Sequence, residues 1–459
     1  MQNIYKEVNT LDKRCYTKYN LTEDILMEHA GIAMMNFINK NFKKNQKILI
    51  VSGPGNNGAD GIVLARLLYK KFKVHLYIPF GSKSQMAQIQ LKRAELLGIK
   101  ISSKIKNSDI VVDCLFGSGL TRELNIKVKN IIKKINSLDA YKIACDIPSG
   151  INLQGQVPSI AFYADTTITM GALKKSLFTD ITKEYVGKIV VADLGIQRKL
   201  YEKKSNTFLL EKKDLKLPLR NNKNANKGSF GHLCVIVGEK LGAGLLCADA
   251  GFNFGTGLIT AVSHNIQRVP NYIMQNKQIP KNTTALCIGM GLGQKYDQTL
   301  LENNIPKVID ADLFYDHIII KILAQENIIL TPHPKEFCSL LQLTEIANIS
   351  VHELQENRFF YLEQFTKKYP KVVLLLKGTN VLIALNKQIF VNPLGSSVLS
   401  KGGSGDVLSG LIGSLLAQGY NPLDAAIHGS IAHTLAASHY DKNNYSMTPQ
   451  DLIDEIKKL

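Results

Sequence analysis

Short apolar runs recur along the chain, separated by segments whose apolar residues fall every three or four positions. Runs at 47–51, 74–78, 110–113, 141–145, 166–170 and 188–191 have the length and content of buried strands. Helical spacing fills 61–71, 85–97 and 126–137, and a helical stretch at roughly 20–42 precedes them and should pack on the outside. This alternation predicts a doubly wound, mostly parallel sheet with helices on both faces.

A second alternation begins beyond the polar stretch PLRNNKNANKGSFG, Pro218 to Gly231. Its strands are expected at 232–237, 258–262, 285–288, 307–310, 327–331, 372–376 and 380–384, followed by a Gly- and Ala-rich helical ending at roughly 405–440. The polar stretch reads as an exposed connection. We therefore expect two α/β domains, 1–208 and 225–459, joined by a linker at 209–224.

Composition narrows the function. A chain of 459 residues is long for one core, and 45% hydrophobic with 20% charged residues fits a soluble globular protein. No apolar run approaches a bilayer span, and Met1 to Lys6 has no signal-peptide core, so no membrane association is expected. Cysteines at 15, 114, 145, 234, 247, 287 and 338 form no C-x-x-C pair, which argues for reduced thiols and a cytoplasmic protein. The net charge of +18 is spread along the chain, and no RNA-binding signature or zinc finger accompanies it. We expect no nucleic-acid partner; a substrate carrying several phosphates is the functional reading of the charge.

The stretch VSGPGNNGADG, Val51 to Gly61, joins a strand to a helix and satisfies G-x-G-x-x-G at Gly53, Gly55 and Gly58. An ordinary dinucleotide fingerprint would add a carboxylate about 20 residues on; YIPFGSK, Tyr77 to Lys83, has none. Acidic groups sit instead at three strand ends: Asp60 with Asn56 and Asn57, Asp113 before FGSGLTRE, and Asp146 with Ser149 in CDIPSG. In a parallel sheet these loops open on one edge, where ligands bind. Their amide, carboxylate and hydroxyl oxygens suit a hard cation, which would offset acids close to a phosphate-bearing ligand. Read singly, Asp60 could cap a helix and the asparagines could be turn formers.

These motifs, GPGNNGADG, DCLFGSGLTRE and DIPSGIN, resemble the NAD(P)H-hydrate epimerase domain, as do ADTTITMGALKKSL and VGKIVVADLGI, over roughly 1–200. The resemblance implies a Rossmann-like three-layer α/β/α domain. It implies that Asn56, Asn57, Gly58, Ala59, Asp60, Gly117, Ser118, Gly119, Leu120, Thr121, Arg122 and Glu123 line the hydrated-dinucleotide site. Asn57, Asp113 and Ser149 would hold potassium, and Asp146 would face the substrate and move a proton. Ala59 stands where the family usually has glycine.

In the C-terminal half, SKGGSGDVLSG, Ser400 to Gly410, runs from a glycine turn directly into a helix. Backbone N–H groups at such a start form an anion hole, and Asp406 just inside it should be kept ionised by the helix dipole as a base. His333 in TPHPKEF is held between prolines, Lys377 in LLLKGTN suits a nucleotide phosphate, and IGMGLG and DADLF follow strands. Each also has a mundane reading as turn, cap or solvated strand end.

Together these features resemble the ADP- or ATP-dependent NAD(P)H-hydrate dehydratase domain, of ribokinase-like fold, over roughly 225–459. The resemblance implies that Ala243, Gly291, His333 and Asp406 contact the hydrated dinucleotide. Lys377, Gly378, Gly402, Gly403, Ser404 and Gly405 would take ADP or ATP, with magnesium as its companion. Glu239, Met290 and Lys335 depart from the usual residues there. The whole chain then reads as a bifunctional enzyme, with Asp146 and Asp406 catalytic and a homo-oligomer expected. The competing reading is a vitamin-precursor or sugar kinase fused to a non-catalytic nucleotide-binding domain.

Overall fold

The computed structural model describes residues 1–117, 119, 123–263, 269–294 and 296–459. The described residues divide into two compact units, Gln2–Ser205 and Asn206–Leu459, the second also taking in Met1.

In the first unit the strands are β1 (Gln2–Tyr5), β2 (Lys47–Ser52), β3 (Lys73–Tyr77), β4 (Ile101–Ser102), β5 (Ile110–Cys114), β6 (Tyr141–Cys145), β7 (Thr166–Met170), β8 (Leu173–Lys174) and β9 (Lys188–Ala192). The main sheet has the order β4-β3-β2-β5-β6-β7-β9, parallel throughout, and β1 pairs in parallel with β8. Side chains alternate between two cores, as strand geometry requires. Ile48 and Ile50 of β2 pack with Met34, Ile62 and Leu68 from helices Glu23–Asn41 and Asn56–Leu68. Leu49 and Val51 face the other way, onto Val128, Ile132 and Ile135 of helix Ile126–Asn136. Three layers follow. The strand order reverses between β2 and β5, the crevice where such sheets bind ligands.

Helix Asn56–Leu68 begins within the glycine-rich stretch, with Gly55 as its N-cap residue, rather than at 61. Small and polar residues in NNGAD hide its periodicity. What allows the early start is close backbone packing: a Cβ on Gly58 would lie 1.9 Å from the Gly53 carbonyl oxygen. Asp60 is consequently a residue of the helix, not its cap.

The second unit contains β10 (Thr207–Leu209), β11 (His232–Ile236), β12 (Leu258–Val262), β13 (Met274–Asn276), β14 (Ala285–Ile288), β15 (Lys307–Ile309), β16 (Ile328–Leu330), β17 (Val373–Leu376), β18 (Val381–Leu385) and β19 (Gln388–Asn392). The order is β13-β12-β11-β14-β15-β16-β17-β18-β19-β10. Strands from β13 to β17 are parallel, and β17, β18 and β19 form an antiparallel meander. β10 straddles the expected end of the first domain at 208 and adds to β19, pairing Thr207 with Ile389. The long helical ending is two helices, Ser404–Ala417 and Pro422–His439. Gly419 at φ 90 reverses the chain, and Asn421 caps the next helix, whose first residue is Pro422. Both helices join Leu241–Asn253 and one sheet face in a single apolar core.

No helix among the described residues is long and apolar enough to cross a membrane. The seven cysteines carry free thiols.

Candidate functional site

Beyond the carboxyl ends of β2, β5 and β6 lies a cleft of about 650 Å³, lined by Gly55, Asn56, Asn57, Asp60, Phe116, Gly117, Gly119, Asp146 and also Asp12. The glycines have different tasks. A Cβ on Gly53 would lie 1.8 Å from the Leu115 carbonyl oxygen, so Gly53, like Gly58, serves backbone packing, whereas a Cβ on Gly55 would meet open space. Gly55 is the glycine that leaves room for a ligand.

Asp146 occupies a left-handed backbone conformation, φ 69, that few non-glycine residues adopt. It is over-determined. Its N–H donates to the Ile168 carbonyl at 2.8 Å, and its Oδ1 accepts from Lys174 Nζ at 2.6 Å and Met170 N–H at 3.1 Å. Lys174 has no exposed surface and also donates to Thr169 Oγ1 at 2.9 Å and the Met170 carbonyl at 3.1 Å. Asp146 Oδ2 faces Gly117, 3.1 Å from where a Cβ would stand, and Asn57 Oδ1 approaches the same point at 3.0 Å. Two loops therefore converge on a glycine supplied by the third.

Burial, with Asp146, Asp12 and Glu23 nearby, pushes the Asp60 carboxyl well above the usual carboxylate range. Asp12 is also pushed up by burial, against a 2.7 Å hydrogen bond from the Tyr201 hydroxyl. The same burial makes a negative charge on either carboxyl costly.

Asp113 is fully buried. Its carboxylate accepts from Leu115 N–H at 3.1 Å, Ser149 N–H at 2.8 Å and Ser149 Oγ at 2.7 Å, all neutral donors. Burial outweighs those bonds and pushes its pKa up to about 6. Asn57 Nδ2 is buried without a hydrogen-bond partner among the described residues. Ala59 turns its methyl into a small core with Met27, Val63 and Ala87, which accommodates the departure from glycine. Glu123 is exposed and does not line the cleft, and Asn56 Nδ2 donates to Glu23 Oε1 at 2.5 Å. Ser118, Leu120, Thr121 and Arg122 lie outside the described residues.

In the second unit the glycine turn leads into helix Ser404–Ala417 through Gly403 at φ 91. Asp406 sits in its first turn. Burial and the neighbouring Asp310 carboxylate raise its pKa to about 7, with Lys377 opposing. Asp406 was expected to be kept ionised as a base; burial holds it nearer to balance between its two forms at neutral pH. A value near neutrality suits a general base better.

Lys377 is partnered by Asp310, Nζ to Oδ1 at 2.6 Å, and a Cβ on Gly405 would lie 3.2 Å from that Nζ. The fully buried Arg358 donates to the carbonyls of Leu376, Lys377 and Asn380, fixing the turn between β17 and β18. His333 caps helix Pro334–Leu343: its Nδ1 accepts from Lys335 and Glu336 N–H at 3.1 and 3.2 Å. The ring proton therefore belongs on Nε2, 3.1 Å from Glu336 Oε1. Burial and Lys377 lower the His333 pKa, while burial raises Glu336 to about 7. Gly291, at φ 57, packs against Lys240 and Ala243. Glu239 lies against Gly293, Met290 is buried, and exposed Lys335 contributes its backbone to the His333 cap.

Lys174, Tyr201, Asp12 and Arg358 were not legible as site residues. Their spacing matches no motif, and a buried lysine looks like a solvated one in sequence. Glu336 had a signal, standing three residues after His333 at capping-box spacing.

Two family models match separate parts of the chain. Residues 233–458 match the family described as NAD(P)H-hydrate dehydratase, and 23–176 match the YjeF-related protein N-terminus. The chain is 44% identical to the bifunctional NAD(P)H-hydrate repair enzyme Nnr of Helicobacter pylori, with both chains covered fully. It is 31% identical to the protein of that name from Escherichia coli, over 90% of this chain and 84% of the other. Among solved structures, the ADP/ATP-dependent NAD(P)H-hydrate dehydratase of Bacillus subtilis co-crystallized with ATP/Mg2+ aligns at 25% identity and a TM-score of 0.45, over 53% of this chain and 93% of that one. Likeness along its whole length shows that the chain belongs to the bifunctional NAD(P)H-hydrate repair enzyme family.

Proposed function

We propose that the first unit interconverts the R and S hydrates of NADH and NADPH, and that the second dehydrates the S form at the expense of ADP or ATP. The observation that carries the second half is Asp406, with a pKa of about 7, beside Lys377 at a helix-initiating glycine turn. Asp406 takes the proton of the ring hydroxyl as that oxygen attacks the terminal phosphoryl, releasing AMP or ADP. Phosphate then leaves with the carbon–oxygen electron pair, and the ring loses a proton from the adjacent carbon. Dihydronicotinamide is restored. Phosphorylation matters because hydroxide is a poor leaving group near neutral pH.

In the first unit, Asp146, held by Lys174 and the Met170 amide, moves a proton on and off the hydrated ring during inversion at the hydroxyl-bearing carbon. Asn57, Asp113 and Ser149 suit potassium: a buried carboxylate whose hydrogen-bond donors are neutral, one hydroxyl and one amide form a hard-oxygen set. When bound, potassium would supply positive charge beside the dinucleotide phosphates, and magnesium would do so for ADP or ATP. The free thiols accord with a reducing, cytoplasmic setting.

Asp406→Asn tests the division of labour. The variant should interconvert the epimers at the wild-type rate while losing about 10²- to 10⁴-fold in ADP-dependent dehydration. Undiminished dehydration would remove Asp406 from the mechanism.

A further inference from the structure

Asp310 follows β15 and is almost wholly buried, its side chain 2% exposed. Its position is fixed by the backbone. Its N–H donates to the Ile288 carbonyl at 3.0 Å, and its own carbonyl lies against Gly289, where a Cβ would come within 1.8 Å. Gly289, at φ 117, is the residue type that permits this approach. Among the described residues the carboxylate accepts from Lys377 Nζ at Oδ1, 2.6 Å, and from Ser409 Oγ at Oδ2, 2.8 Å. Ser409 lies on the same helix as Asp406, and Lys377 on the turn that Arg358 clamps. Asp310 thus ties the glycine-turn helix to the β17–β18 turn.

We propose that Asp310 is a positioning residue of the phosphoryl-transfer centre: its buried carboxylate holds the Lys377 ammonium at the Gly402–Gly405 turn and sets the electrostatic field in which Asp406 works. The proposal rests on the dehydratase reading above. Lys377 is fixed at both ends, by Arg358 at its carbonyl and by Asp310 at its ammonium. A lysine held this way presents charge to an incoming phosphate without first losing side-chain freedom. Asp406 faces Asp310 from the loop after β15, Lys377 from the β17–β18 turn, and the buried Cys247 thiol from helix Leu241–Asn253. Asp310 raises its pKa and Lys377 lowers it.

The test is the pH profile of ADP-dependent dehydration in the full chain, for the wild type, Asp310→Asn and Lys377→Met. The wild-type acidic limb should have its midpoint near pH 7. Removing the Asp310 charge should move the limb to lower pH and reduce the plateau about tenfold, because a weaker base remains and Lys377 has lost a charged partner. Lys377→Met should move the limb the opposite way. Because the first unit has its own core, folding of the second unit is read from a thermal melt of each variant beside the wild type, not from epimerase activity. If both variants lose rate equally at every pH with the limb unmoved, Asp310 is only a packing residue and the proposal is overturned. If the wild type itself fails to dehydrate the hydrate, the dehydratase reading falls instead.

Discussion

Lys174 and Asp146 form a buried pair in which the carboxylate is aimed by hydrogen bonds rather than left to rotate. Removing one partner of such a pair leaves an uncompensated charge, so Lys174→Met should destabilise the first unit by about 3–5 kcal/mol in chemical denaturation. Asp146→Asn keeps the shape and removes the proton acceptor, and should slow interconversion of the hydrates about 10²- to 10⁴-fold. Retention of the wild-type rate would exclude it as the proton carrier. For dehydration the sign follows from Asp406, whose raised pKa makes it protonated and inactive as a base at acid pH. The rate should climb as pH rises through about 7 and level off above it. At this scale the sequence offered residue identities, Asp146 and Asp406 among them. Their charge states were not readable there, because burial and the nearness of Asp310 arise only once distant strands pair.

Helix Asn56–Leu68 separates two kinds of glycine that the motif writes alike. Gly58→Ala would force a methyl to within 1.9 Å of the Gly53 carbonyl and should cost roughly 2 kcal/mol or more. Gly55→Ala has open space and a φ of −102 that alanine tolerates, so its stability cost should stay within about 1 kcal/mol. Its effect should fall on binding, as a raised KM for the hydrates, since the new methyl projects where the cleft opens. Thermal melts and initial-rate kinetics on both variants separate the two roles. Most long strands and helices were legible, because parallel strands buried on both faces read as continuous apolar runs. The helix start at Asn56 was not, since small and polar residues hide it; nor were β1, β8, β10, β13 and β19, short strands that tertiary pairing specifies, nor the helices Asn9–Tyr19, Leu241–Asn253, Pro334–Leu343 and Arg358–Lys368.

Each unit carries its own core, so a fragment spanning 2–205 should fold and keep epimerase activity without the rest of the chain. Loss of that activity in a folded fragment would show that the second unit contributes to the first reaction. The net charge of +18 finds a use with substrates that bear several phosphates, and kcat/KM for both reactions should fall as salt rises. One chain supplies both halves of a stereochemical problem: a dehydratase acting on one epimer strands the other unless an epimerase returns it. The most direct measurement incubates the purified protein with a mixture of R and S hydrates, with and without ADP, and follows each species. Interconversion without ADP, and complete conversion of both hydrates to NADH or NADPH with it, is the predicted result. Unchanged hydrates in both tubes, or a stable phosphorylated product without dehydration, would contradict it.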